Sequence, residues 1–375
     1  MADKGGFRHF MLKEIFEQPG AVRETFQPRI AADTGKISLD SVNLSEAEFG
    51  SLTKINIAAS GSSRHAGLAG KFMIETLARV PTEVDYASEF AYRNPIIGKN
   101  ELTIVITQSG ETADTLAAQR AAAVHGSKTL AVCNVLESTI MREADAAIYT
   151  HAGPEISIAS TKAFTTQWTA LFLFALYLGE VRETLPPAER RRYLSELERI
   201  PEKIESILAR ESECEELARK FSRSRDFLYL GRGIHFAVAL DGALKLKEVS
   251  YIHAEGYPAG EMKHGPNALI DEDLPVVILA TCDQNDPRSV LRHQKTLSNL
   301  KEVKARSGQV IVVANEGDRE VCDSADAVLP VPSAPELLLP MLEIVPLQLL
   351  AYHIALRRGC DVDRPRNLVK SVQEE

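Results

Sequence analysis

The sequence predicts an α/β fold in two tandem copies, each a mostly parallel sheet flanked by helices. Three observations predict it. Short β-branched and apolar runs alternate with longer stretches of helical period, the pattern of parallel strands joined by crossover helices. That alternation occurs twice, in the same order. A length of 375 residues exceeds what one hydrophobic core usually serves, and 45% hydrophobic with 25% charged residues is the balance of a globular chain.

Residues 1–45 read as an N-terminal helical segment and 46–180 as the first α/β domain. There a strand at Ile55–Ala59 meets the small-residue turn Ser60-Gly61-Ser62-Ser63 and then a helix through Leu77. The next strands are expected near Thr103, Thr129 and Ala146. Residues 181–225 form a connector. Its stretch "ERRRYLSELERIPEKIESIL" has apolar residues at helical spacing, so its charges read as a solvated helix face. The second domain, 226–359, repeats the order. Phe227–Leu230 meets Gly231-Arg232-Gly233, a helix runs through Ser250, and strands follow near Val276, Gln309 and Ala327. Pro346 is expected to open the last helix, with Leu347, Leu350, Ala351 and Ile354 as its apolar stripe and Arg357-Arg358-Gly359 as its end. Residues 360–375 read as a tail that no core demands.

Composition excludes several function classes. The net charge is −9 and dispersed, against a nucleic-acid or anionic-membrane partner, which needs a basic face. The five cysteines are odd in number and widely spaced, with no C-x-x-C pair, so they read as reduced thiols and not as disulfides or a zinc site. His253 and Glu255 have poor spacing for a metal, and no metal or cofactor is expected. Met1–Lys13 lacks the apolar region of a signal peptide, and the longest apolar run, near Leu171–Leu178, is too short to span a bilayer. A cytoplasmic protein is expected.

Four groups of side chains suggest chemistry. The stretch "ITQSGETADT", Ile106–Thr115, leaves a buried strand and at once gathers Thr107, Gln108, Ser109 and Thr112. Ligands of open α/β sheets bind at strand carboxyl ends, where helix-start amides point outward. Short hydroxyls around that point suit a phosphate monoester, and the Ser60–Ser63 turn offers the same in the same copy. The alternative is that Ser63 and Thr112 are only helix N-caps. The matching turn of the second copy, Ala280-Thr281-Cys282-Asp283, carries an acid instead, so one phosphate site per chain is expected.

In "ALDGALKLKEVSYIHAEG", Asp241, Lys245 and Glu248 share one helical stripe. They form either a surface ion pair or a carboxylate placed for proton transfer. The following "GYPAGEMKHGPNAL" is dense in glycine and proline and reads as a loop; it carries His264, either a bystander or a catalytic group. Finally, "RPRNLVKS" holds Lys370. It is either solvated or an imine-forming amine kept partly neutral by desolvation or by nearby cations, with Arg364 and Arg366 close in sequence.

Together these stretches, with "EISIASTKAFTTQ" and "DVDRPRNLVKSV", resemble the isomerase part of the glutamine–fructose-6-phosphate aminotransferase family over nearly the whole chain. The resemblance implies two tandem sugar-isomerase (SIS) domains, a homodimer, and fructose 6-phosphate and glucosamine 6-phosphate as ligands. By position it implies that Ser62, Ser63, Thr107, Gln108, Ser109 and Thr112 hold the sugar phosphate. It implies a Schiff base between Lys370 and C2 of the open-chain ketose, with Glu248 moving the proton between C1 and C2 and Lys245 its neighbour. It implies that His264 opens the sugar ring and reaches the other subunit's site. Ammonia would come from a glutaminase domain or another source. The chain starts Met1-Ala2-Asp3 without that domain's N-terminal cysteine, so glutamine hydrolysis is expected to be absent. Asp241 replaces the family's glutamate, Ser60-Gly61-Ser62-Ser63 replaces its "CGTS", and Thr107 replaces a serine. The competing functions are a glucosamine-6-phosphate deaminase of the same fold and a non-catalytic sugar-phosphate sensor.

Overall fold

A computed structural model describes residues 3–31 and 34–370. The chain divides into two compact units. One holds the stretch ending at Pro19, Ile156–Thr161 and Arg199–Leu368; the other holds Gly20–Glu155, Lys162–Glu198, Val369 and Lys370.

The second of these units contains a six-stranded sheet: β1 (Ser41–Val42), β2 (Lys54–Ala59), β3 (Thr82–Tyr86), β4 (Glu101–Thr107), β5 (Lys128–Cys133) and β6 (Ala146–Tyr149), ordered β1-β6-β5-β4-β2-β3. β1 pairs antiparallel with β6, and all other neighbours are parallel. The first unit contains a five-stranded parallel sheet: β7 (Asp226–Gly231), β8 (His253–Pro258), β9 (Pro275–Leu279), β10 (Gln309–Asn315) and β11 (Ala327–Val331), ordered β11-β10-β9-β7-β8. Without β1, the two strand orders are the same permutation. The duplication is therefore one of topology, and it is deeper than the sequence likeness.

The inner strands are continuous apolar runs because helices cover both faces of a parallel sheet. All of β9 and all but the first residue of β2 and β4 are buried. Three strands were not expected from sequence: β1, at the end of the segment 1–45 read as helical, and the later β3 and β8. The latter two lie at sheet edges, where "TEVDY" can keep its acids in water and "HAEGYP" can carry Gly256 and Pro258. The stretch expected as a loop from Gly256 to Leu269 thus begins on β8 and continues as two short 3-10 helices, Ala259–His264 and Pro266–Leu269.

The last helix also departs from expectation. It spans Leu339–Arg357, with Pro340 in its first turn and Pro346 inside it. Pro340 lacks an N–H that no helix start uses, so it is the natural opener; Pro346 is tolerated because packing supports the helix on all sides. This helix is long and apolar enough to cross a membrane, but 94% of its apolar window is buried in the protein, as in a core helix. It packs on the helix His235–Ser250, as Lys162–Val181 packs on Gly61–Leu77 in the other unit.

The segment after Gly359 is held by the core, contrary to the sequence expectation. Val362 has no exposed surface. The Asp363 carboxylate accepts the backbone N–H groups of Phe10 and Met11 at 3.0 and 2.9 Å, and the Arg366 N–H donates to the Tyr251 hydroxyl at 2.9 Å. Residues 371–375 of the expected tail lie outside the described residues.

Candidate functional site

Register places the two hydroxyl turns side by side. Ala59 and Ile106 are paired across β2 and β4, and both strands end within one residue of that pair. The Ser60 and Thr107 turns therefore leave neighbouring strands at the same sheet edge, about 5 Å apart. Ser60 is the N-cap of the helix Gly61–Leu77, so Ser62 and Ser63 are its second and third residues. Neither is a cap, and their hydroxyls stand where the first amides are unpaired. Thr112 does occupy the N-cap position of Ala113–Val124, but its hydroxyl makes no capping bond and lies 2.9 Å from that of Thr107. The Thr107 hydroxyl also accepts the Gly110 N–H, and the Ser109 hydroxyl accepts the Glu111 N–H at 3.2 Å. Glu111, the acid of this turn, is tied away from it by the Thr139 N–H at 2.8 Å, which keeps its carboxyl below the usual range. Gln108 and Ser109 stand half-buried at the rim.

Lys370 belongs to this same unit. Its Nζ donates to Glu155 Oε2 at 2.6 Å. The Glu155 side chain has no exposed surface, and that of Lys370 is 26% exposed. A simply solvated lysine is thereby excluded. Glu155 was not singled out from sequence, although a carboxylate just ahead of a long apolar helix was a usable signal.

The other unit carries Asp241, Lys245, Glu248 and His264. Lys245 is fully buried and donates to Glu248 Oε2 at 2.5 Å, three residues on; Glu248 is 21% exposed. Full burial of the lysine rules out an ordinary surface pair. It leaves a carboxylate open to solvent on one side and charge-compensated on the other. Asp241 is likewise fully buried, one turn earlier. His264 ends the 3-10 helix Ala259–His264 and is exposed. The structure thus brings Thr107 to Thr112, Lys245 to Glu248 and Lys370 to Glu155.

At the carboxyl ends of β7 and β9, where the second copy would hold its own ligand, the space is filled by a charged network that sequence reasoning missed. The Glu336 carboxylate accepts from Ser289 Oγ at 2.5 Å, Arg292 Nε at 2.6 Å and His235 Nε2 at 3.1 Å. His235 Nδ1 lies 2.8 Å from Glu343, which also accepts the Thr281 hydroxyl. His235 and Glu343 are fully buried. Burial and Arg292 both press the His235 pKa down, but Glu343 and Glu336 together more than offset them and raise it. Burial pushes Glu336 up, and His235 and Arg292 overcome this and hold it well below the carboxylate range. His235 and Glu343 lie 108 positions apart in the chain, so no local pattern announces the network.

Two sheets whose parallel strands follow one permuted order, flanked by helices, define a duplicated α/β protein. The chain belongs to the SIS domain family, whose model matches residues 51–177 and 220–358. It is 52% identical over 373 residues to the glutamine–fructose-6-phosphate aminotransferase (isomerizing) of Chlorobaculum tepidum, covering 100% of this chain and 59% of that protein. The chain spans about three-fifths of the length of the curated relatives it matches. Among solved structures it is similar to the C-terminal domain of glucosamine-fructose-6-phosphate aminotransferase from Francisella tularensis, at 40% identity and a TM-score of 0.91, covering 97% of this chain and 100% of that one. A glucosamine-6-phosphate deaminase from Thermotoga maritima, at 21% identity and a TM-score of 0.72, shares the fold. The likenesses to the aminotransferases of Chlorobaculum tepidum and Francisella tularensis support a sugar-phosphate isomerase role.

Proposed function

We propose that the chain works as the isomerase half of a glutamine–fructose-6-phosphate aminotransferase. It binds fructose 6-phosphate and glucosamine 6-phosphate, with the phosphate held by Ser62, Ser63, Thr107, Gln108, Ser109 and Thr112. Lys370 forms an imine with C2 of the open-chain ketose, which acidifies the C1 proton. Glu248 moves that proton between C1 and C2 through an enolamine, with Lys245 as its fixed counter-charge, and His264 assists ring opening. The reading includes a cytoplasmic homodimer in which His264 serves the partner's substrate, and ammonia supplied by a glutaminase domain or another source. The observation that carries it is a carboxylate-held lysine, Lys370, in the same unit as two adjacent hydroxyl turns at helix starts.

Borohydride reduction in the presence of fructose 6-phosphate is expected to leave a sugar-phosphate adduct on Lys370, located by peptide mass. In a coupled assay the chain should make glucose 6-phosphate slowly from fructose 6-phosphate alone and glucosamine 6-phosphate when ammonium is added. Turnover that survives Lys370→Ala, or no adduct on Lys370, overturns the imine step. Efficient ammonia release from glucosamine 6-phosphate would assign the deaminase direction instead.

A further inference from the structure

Lys370 sits near the end of the chain, yet its ammonium is held by protein and not by water alone. Glu155 Oε2 accepts it at 2.6 Å, while Oε1 accepts the Ala163 backbone N–H at 3.0 Å. Ala163 lies in the first turn of the 20-residue helix Lys162–Val181. The helix-start amide and the helix dipole both favour the charged carboxylate. Full burial of the Glu155 side chain removes water as a competitor and leaves the carboxylate few positions to occupy.

The chemistry of imine formation gives such a group a defined task. Overall, an ammonium and a ketone carbonyl become an iminium and water. The ammonium gives up one proton before its freed lone pair attacks C2, and that proton and a second one end on the departing oxygen. The nitrogen bonds to C2 and the C2–O bond breaks. One positive charge rests on nitrogen before and after. A fixed anion beside that nitrogen compensates both states without gaining or losing a proton, and positioned charge of this kind needs no reorganisation during the reaction.

We infer that Glu155 is a positioning residue for Lys370, holding its ammonium before the ketose arrives and its iminium afterwards, so that the nitrogen reaches the carbonyl from a fixed point. The inference rests on the imine reading above. It assigns a role in the reaction to the buried carboxylate ahead of the long helix, to which that reading gives no step.

Glu155→Ala, Glu155→Gln and Glu155→Asp test it through two measurements. Without sugar, acetic anhydride labelling read by peptide mass should find Lys370 of the native chain slower than exposed Lys99. Lys370 should speed up several-fold in Glu155→Ala and in Glu155→Gln, which keeps an acceptor for Ala163 and so guards against simple misfolding, and stay slow in Glu155→Asp. With saturating fructose 6-phosphate, borohydride trapping on Lys370 should slow about tenfold or more in the Ala and Gln variants and recover in Asp, while sugar-phosphate affinity changes less than about threefold. Equal Lys370 labelling in all four proteins, or unchanged trapping in both the Ala and Gln variants, overturns the inference. Absence of trapping in the native chain overturns the imine reading instead, and the labelling arm still decides whether Glu155 holds the lysine.

Discussion

Gly110 shows how tightly the Thr107–Thr112 turn is specified. Its φ is +74°, and a Cβ placed there would lie 2.1 Å from Ser138 Oγ and 3.0 Å from Cys133 Sγ. Both the left-handed backbone and the contact oppose any side chain. Gly110→Ala is therefore expected to cost about 2–4 kcal/mol in urea denaturation, the sum of strain and overpacking. It should also weaken sugar-phosphate binding by moving the Ser109 hydroxyl; an unchanged midpoint would refute the packing account. The same scale explains why residue types alone left alternatives open. Ser63 in a bare sequence is as easily a cap as a ligand, and it is the position of the cap at Ser60 that decides against the cap.

At the scale of elements, the buried network around His235 ties the helices His235–Ser250, Pro287–Lys304 and Leu339–Arg357 together. Its pH dependence follows from the two shifts. His235 has a raised pKa, so its charge contributes stability below its ordinary value of 6.5, and that contribution is lost as pH rises through the higher folded value. Glu336 has a lowered pKa, so its contribution holds above the ordinary 4.5 and is lost as pH falls through the lower folded value. Urea midpoints should thus decline as pH rises above the ordinary histidine value of 6.5, and His235→Gln should flatten that slope. A second element-scale case is the short helix Phe10–Phe16, whose first amides are held by Asp363. Asp363→Ala should cost about 1–2 kcal/mol locally, the size of a lost cap, seen as faster hydrogen exchange at Phe10 and Met11. Exchange unchanged at those amides would show the bond to be idle.

For the whole molecule, the two copies share topology but not chemistry. One presents hydroxyls at helix starts that no side chain caps. The other presents Glu336 and Glu343 with Arg292 and His235 as their cation partners, together with Asp283, whose N–H donates to Ser289 Oγ. A phosphate has no counter-charge to spare in the second, because Arg292 and His235 are already engaged. Calorimetry with glucosamine 6-phosphate should find about one equivalent per chain. Ser109→Ala with Thr112→Ala should weaken that binding by roughly tenfold or more per lost bond, with little effect on glucosamine itself. Two equivalents, or an affinity indifferent to both substitutions, would contradict the division of labour.

The inner strands, the helices after β2 and β7, the connector helices and the duplication were all legible, since each is written in a local period of apolar residues. The sequence motifs also marked the hydroxyl turns, Lys245, Glu248, His264 and Lys370. The edge strands β3 and β8 were not legible, because an edge tolerates acids, glycine and proline and so lacks the apolar signature. The true start of the last helix was hidden by a proline that only all-round packing makes acceptable. The partnerships of Lys370 with Glu155 and of His235 with Glu336 and Glu343 were decided by tertiary structure alone. A periodic pattern reports which face of an element avoids water, whereas a salt bridge between residues 215 positions apart depends on where the chain returns.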